Sequence, residues 1–210
     1  ELWKSDGTAS GTVMVKDIYS GGNSHSGNPG FLTVVGNTLY FRAYEGTNGY
    51  ELWKSDGTAS GTVMVKDIRS GSSDSSPNEL TAVGNTLYFQ ANDGTNGIEL
   101  WKSDGTAPGT VMVKDIRIGG SGSNPIYLTA FGNTLYFTAG DGFNGDELWK
   151  SDGTSSGTVM VQDINSGGSS DPQLFTAVGN TLYFRAKDGT YGHELWALDP
   201  ANITGLGGGS

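Results

Sequence analysis

The chain contains no cysteine, so disulfides and thiolate metal sites are excluded and the redox compartment leaves no mark on it. Positive charge is also scarce. Twelve Lys and Arg face 22 Asp and Glu over 210 residues, a formal net charge of −10. No basic run is present to follow a phosphate backbone, which argues against nucleic acid and against an anionic membrane surface. No apolar run approaches the ~18 residues that a membrane-spanning helix needs, so membrane insertion is not expected. Nothing at the start has the pattern of a signal peptide. The chain opens inside a repeated phrase and reads as a segment of a longer protein. Only two histidines occur, His25 and His193, in different loops. No Ser/His/Asp set has credible spacing, and no glycine-rich phosphate loop follows a strand and opens a helix. The expectation is that the chain is not an enzyme and carries no cofactor beyond a possible Ca²⁺.

What is abundant is glycine, at 35 residues, and repetition. "ELWKSDGTASGTVMVKDI" fills residues 1–18 and returns unchanged at 51–68, then with small edits at 99–116 and 147–164. A last fragment, "ELWALD", stands at 194–199. The units are 1–50, 51–98, 99–146 and 147–193, with a partial one at 194–199, and they form one domain over 1–199. Residues 200–210, which end in "GLGGGS", read as a flexible tail. Glycine at this density, with Ser, Thr, Asn and Asp, suits tight turns between short strands better than helices.

Within a unit, "LTAVG" (80–84) runs through a Gly-Asn turn into "TLYFQA" (86–91). "NDGTNG" then turns into "IELWKS" (98–103), and "DGTAPG" turns into "TVMVKDI" (110–116). A longer Gly/Ser/Asn/Pro stretch reaches the next unit. The four strands, A to D, make an antiparallel meander, and no window has helical apolar spacing. Apolar neighbours in "TLYF", "VMV" and "ELW" indicate sheets covered on both faces, as in propeller blades. A repeat near this length allows that architecture. The fold class is therefore all-β, a propeller of four-stranded antiparallel blades. The chain reads C-D, then A-B-C-D three times, then A-B-C. Four blades follow if the N-terminal D strand completes the last A-B-C. The alternatives are five blades, an eight-bladed ring from two chains, or, less well supported, a β-solenoid.

These residues carry a resemblance. "ELWKSDGTASGTVMVKDI", followed by "LTAVGNTLYFRA"-type segments and a "DGTNG" turn, resembles the bacterial ELWxxDGT repeat family across 1–199, and more loosely the kelch blade. The resemblance implies a large extracellular or cell-surface bacterial protein with a binding or structural role. It brings no catalytic residues. "ELWALDPANIT" departs from the pattern: it lacks the "SDGT" loop and any evident D strand after it.

Seventeen of the 22 carboxylates occupy repeat-locked positions, so the acidity belongs to the blade and is multiplied with it. Asp6, Asp56, Asp104 and Asp152 in "SDGT" are read as acceptors for backbone N–H groups in their own turns. The B–C turns pair a carboxylate with a Glu six residues on: Glu45 with Glu51, Asp93 with Glu99, Asp141 with Glu147, and Asp188 with Glu194. Oxygen ligands on a glycine-rich loop suit Ca²⁺, and a plain hairpin explains the same residues. The tryptophans of "ELW" are expected to pack between blades.

In a meander blade the A–B and C–D turns share one rim, and the B–C turns and D–A crossovers share the other. The first rim is nearly invariant here and the second varies from copy to copy. Loops held by a rigid frame are where binding residues concentrate. The candidate ligand contacts on the variable rim are Tyr19, Tyr50, Tyr127, Phe143, Tyr191 and His193. The functional expectation is a non-enzymatic binding module for glycans or other cell-surface components, as a monomer or as a homodimer sharing blades. A structural spacer is the alternative.

Overall fold

The computed structural model describes residues 1–20, 26–199 and, as a strand, 202–205. It is all-β. A two-stranded sheet pairs β1 (Leu2–Lys4) with β2 (Val13–Lys16). Four complete antiparallel sheets follow, each a meander of neighbours in sequence. The first holds β3 (Gly30–Val35), β4 (Thr38–Tyr44), β5 (Tyr50–Ser55) and β6 (Val63–Lys66). The second holds β7 (Asn78–Val83), β8 (Thr86–Asn92), β9 (Ile98–Ser103) and β10 (Val111–Lys114). The third holds β11 (Ile126–Phe131), β12 (Thr134–Gly140), β13 (Asp146–Ser151) and β14 (Val159–Gln162). The fourth holds β15 (Gln173–Val178), β16 (Thr181–Lys187), β17 (His193–Asp199) and β18 (Asn202–Gly205).

Two features differ from the sequence expectation. The last unit does have a fourth strand: β18 pairs with β17, with Asp199 opposite Asn202. The stretch 200–210, read as a tail, thus contains a strand, and the rest of it lies outside the described residues. Because β18 fills the fourth sheet, the N-terminal D strand is not needed there. β2 pairs with β1 instead, and no sheet closes a ring.

The turns explain the meander. Each A–B connection is Gly-Asn, with φ of +59° at Gly36, +58° at Gly84, +60° at Gly132 and +59° at Gly179. A two-residue hairpin whose first position needs positive φ selects glycine there. The sheets fan out from their A strands, which approach one another most closely: the Thr33 hydroxyl donates to Leu80 O at 3.0 Å, and that of Thr81 to Leu128 O at 3.1 Å.

Between sheets one interface is used repeatedly. One face of the first sheet, with Val35, Tyr40, Leu52, Val65 and Ile68, packs on the facing side of the second, with Leu87, Phe89, Ala91, Trp101 and Met112. The second meets the third, and the third meets the fourth, through equivalent residues. Leu2, Val15 and Ile18 of the two-stranded sheet pack on Phe41, Ala43 and Trp53 in the same way. The "ELW" tryptophans 53, 101 and 149 are therefore buried between sheets. Lysines bridge the same seams. Lys54 and Lys102 donate to Gly105 O and Gly153 O of the following sheet, both at 2.8 Å. Lys66 donates to Thr110 O at 2.8 Å and lies 5.8 Å from the Trp101 ring. Gln162 takes the place of Lys16, Lys66 and Lys114 where the sheet that follows has no "SDGT" turn after its C strand.

The two ends leave this interface half made. Trp3 and Met14, the counterparts of Trp53 and Met64, are 59 % and 45 % exposed. Val178 and Leu195, the counterparts of Val35 and Leu52, are 61 % and 52 % exposed. Position within the array should therefore outweigh residue type. Phe89→Ala, at a fully buried site, is expected to cost about 3–5 kcal/mol, whereas Val178→Ala should cost under about 0.5 kcal/mol. Urea denaturation of the two variants measures the contrast.

Candidate functional site

The rim of A–B and C–D turns is built for stability. In each "DGT" turn the Asp accepts locally: Thr58 N and the Thr58 hydroxyl both donate to Asp56 Oδ1, at 2.9 and 2.7 Å. Gly61 N donates to Thr58 Oγ1 at 2.9 Å, and Thr62 Oγ1 to Thr58 O at 2.7 Å. The Thr58 hydroxyl, with the backbone N–H, holds the Asp56 carboxyl below its usual value. Asp6, Asp104 and Asp152 repeat the arrangement. A side chain at Gly61 would place its Cβ 2.1 Å from the Asp56 carboxylate, so the second glycine of the phrase is required by space.

On the opposite rim the "ELW" glutamate fastens the crossover. Glu51 is fully buried and accepts from Ile68 N at 2.9 Å, Ser75 N at 3.2 Å and the Ser75 hydroxyl at 2.6 Å. Glu99 and Glu147 hold Ile116 and Ser123, and Ile164 and Ser170, in the same way. Burial dominates over these bonds and pushes the Glu51 carboxyl up to about 7; Glu99 and Glu147 are raised as well, first by burial. Glu1 makes equivalent contacts to Ile18 N and Gly27 N but is only half-buried. There the desolvation is outweighed by backbone N–H groups and the N-terminal amine, and its carboxyl is lowered.

The carboxylates paired by sequence spacing engage separate partners. Asp93 accepts from Thr95 N and Asn96 N at 2.8 Å and from Asn96 Nδ2 at 2.7 Å, inside its own turn. Asp141 repeats this with Phe143 and Asn144, and Asp188 bonds Thr190 N and Tyr191 N. Glu45 accepts from Asn48 Nδ2. Their Glu partners point into the crossovers, and Glu194 is half-buried in the fourth sheet. Among the described residues no group of three or more His, Cys, Asp or Glu side chains is placed to hold a metal ion.

The candidate ligand contacts all lie on the B–C/D–A side but spread over several sheets. Tyr191 is 64 % exposed in the last B–C turn, and His193 opens β17 opposite Lys187. Phe143, 93 % exposed, lines a cleft with Arg117, Ile118 and Asp141 between the crossover that follows β10 and the third B–C turn. Tyr127 occupies a bulged start of an A strand at φ +58°, as do Phe31 (+58°), Glu79 (+56°) and Leu174 (+60°). Large side chains held at positive φ, costing about 1–2 kcal/mol each, are thus presented once per sheet on this rim.

Tyr19 and Tyr50 do meet, through a residue that sequence reasoning passed over. Tyr19 stacks on Tyr44 with centroids 5.5 Å apart, and Tyr44 lies 5.4 Å from Tyr50. Arg42 then sits between Tyr50 and Phe31, its guanidinium carbon 4.9 and 4.7 Å from the ring centroids. Asn28 Nδ2 donates to the Tyr50 hydroxyl at 3.0 Å. Arg42, Tyr44 and Phe31 sit where copies differ, at the end of strand B and the start of strand A. Attention to departures within strands, as well as within loops, would have found them.

No protein-family model matches the chain, and no curated protein matches it. Solved structures do. A mutant of puromycin hydrolase complexed with PGG superposes with a TM-score of 0.61 at 14 % identity, over 94 % of this chain and 30 % of its own. A puromycin-hydrolyzing peptidase from Mycobacterium tuberculosis gives 0.58 at 12 % identity with the same coverage. The chain thus spans about a third of the length of these neighbours, and its fold is propeller-like. The expectation that the chain is not an enzyme is corrected by the neighbours just described, a hydrolase and a peptidase that share its fold over 94 % of its length. At such identity the likeness carries the fold alone and assigns no reacting residue.

The buried glutamates set a pH signature. A carboxyl whose pKa is higher folded than unfolded takes up a proton on folding, so its stabilising effect is complete below its ordinary 4.5 and is lost as pH rises through about 7. The triple variant Glu51→Gln, Glu99→Gln, Glu147→Gln lacks that loss. Its Tm deficit relative to the parent should shrink between pH 4.5 and 7.5, as read by thermal denaturation. A deficit constant over that range would contradict the assignment.

Proposed function

We propose that the chain is a binding module whose variable rim takes glycans or another cell-surface component, in a large extracellular or surface protein of the kind the ELWxxDGT resemblance implies. The observation that carries this reading is the concentration of non-repeated aromatics on one rim, joined by Arg42 into the row Tyr19–Tyr44–Tyr50–Arg42–Phe31. Aromatic faces suit the C–H faces of sugar rings, and a preorganised frame lowers the ordering cost of binding. Equivalent bulges on successive sheets favour several weak contacts acting together.

For the architecture, we propose four complete blades and a leading half-blade whose uncovered faces are closed by a second copy. Val178, Tyr183 and Leu195 of one copy would meet Trp3 and Met14 of the other, as Val35, Tyr40 and Leu52 meet Trp101 and Met112 inside the chain. Ala197 stands where the other units have lysine, so this contact lacks part of the interior clamp and is weaker. Light scattering should show mass rising with concentration toward two chains of 21.9 kDa. A monomer at all concentrations supports a single-chain propeller instead.

A glycan array probed with and without Ca²⁺ tests the binding reading. The expected outcome is multivalent signal that Tyr44→Ala with Tyr50→Ala lowers at least about tenfold, roughly 1.4 kcal/mol. Ala59→Ser on the opposite rim, matching the residue at 155 in the fourth copy of the phrase, should leave the signal unchanged. Silence under both conditions would favour the spacer reading.

A further inference from the structure

Arg42 and Arg185 occupy one register position in two sheets, each opposite the first residue of its A strand. Gly30 faces Arg42, Asn78 faces Gln90, Ile126 faces Thr138 and Gln173 faces Arg185. In the fourth sheet the guanidinium edge has a partner: Arg185 Nη2 donates to Gln173 Oε1 at 2.7 Å, although its Nε, like that of Arg42, is buried without one. In the first sheet the facing residue has no side chain. The Arg42 guanidinium is held instead between the Phe31 and Tyr50 rings, at 4.7 and 4.9 Å. Its Nε is buried without a partner, and among the described residues its Nη1 and Nη2 enter no hydrogen bond or ion pair. Ordering a long cationic side chain costs rotamer entropy, and a protein of net charge −10 has carboxylates in plenty to pair with it. This guanidinium is nevertheless fixed by two rings, with its donor edge unused among the described residues.

We propose that Phe31, Arg42 and Tyr50 form a subsite for a carboxylated sugar, a uronic acid residue of a glycan. The inference rests on the proposed glycan-binding rim and deepens it. A guanidinium edge matches a planar carboxylate with two parallel N–H···O bonds, a geometry that an ammonium does not supply. Phe31, 44 % exposed, offers its outer face to the pyranose ring beside that carboxylate. The Tyr44 and Tyr19 rings extend the row for the neighbouring sugar. In the fourth sheet Leu174 replaces Phe31 and Gln173 occupies the arginine, so the same register position there is not a subsite.

Calorimetric titration with oligogalacturonate, against the same oligomer methyl-esterified, tests the proposal. The acidic oligomer should bind at least about tenfold more tightly at low salt, with the preference falling as salt rises. Arg42→Gln should abolish the preference, Arg42→Lys should retain only part of it, and Arg185→Gln should leave it intact. Gly30→Gln is the sharper variant, because it installs the side chain that occupies Arg185. The backbone there leaves open space, with nothing within 4 Å of an added Cβ, so the fold should tolerate it and the preference should vanish. Equal affinity of parent protein for the acidic and esterified oligomers would overturn the uronate subsite and leave the glycan rim standing. Absence of glycan binding on the array would overturn the rim reading itself.

Discussion

Every complete sheet in this protein depends on the apolar seam it shares with the next. Phe41, Phe89, Phe137 and Phe184 are at most 1 % exposed, and each is buried only because a neighbouring sheet covers it. A lone four-stranded meander of this composition would expose those rings on one side and the Leu52-type leucines on the other. Each seam buries several large side chains at about 1.5–3 kcal/mol apiece, which offsets the ordering of a chain rich in glycine. The lysines that reach carbonyls across the seam fix its register, because each Nζ finds one Gly or Thr oxygen in the adjacent turn.

That dependence divides the sequence into frame and rim. Residues that touch the next sheet, or hold a turn or a crossover, have little freedom, and they are the ones that recur unchanged. The "DGT" aspartates and the "ELW" glutamates look alike in a list of acidic residues. One satisfies its own turn in solvent, and the other is buried to tie a crossover to strand C. Side chains at the bulged starts of the A strands are less constrained, though Glu79 reaches the next sheet by accepting from Leu128 N, and there the copies carry Phe, Glu, Tyr and Leu at the same positive φ. Hydrolases share the propeller-like fold at 14 % identity and below, so the frame leaves function to whatever the rim and any partner domain supply.

Much of the frame was legible in the sequence because its determinants are local. The Gly-Asn hairpins, the turn-bound Asp56 and the meander order follow from residues within a few positions of one another. Burial of Trp53, Trp101 and Trp149 followed from apolar residues at neighbouring positions. Long-range facts were not legible. "PANIT" carries no strand signature of its own, and β18 forms because β17 offers it an edge. The fate of Glu51 depends on Ile68 and Ser75, far along the chain, so spacing alone paired it with Glu45. Arg42 escaped notice because its partners come from strands A and C, on either side of its own strand B, and its meaning depends on an absence at Gly30. Aromatics in loops were easy to flag, but only Tyr19 and Tyr50 of those six candidates proved to belong to one cluster.

The central claim is that stability resides in the seams between sheets, so that the ends of the array, covered on one face, are its weakest parts. Native-state hydrogen exchange resolved by residue measures this directly. The account predicts the highest protection in β8 and β12, at Phe89 and Phe137, and earlier exchange in β1–β2 and in the fourth sheet. Equal protection in all sheets, or the highest protection in β1 and β2, would show that each sheet holds itself together and would contradict it.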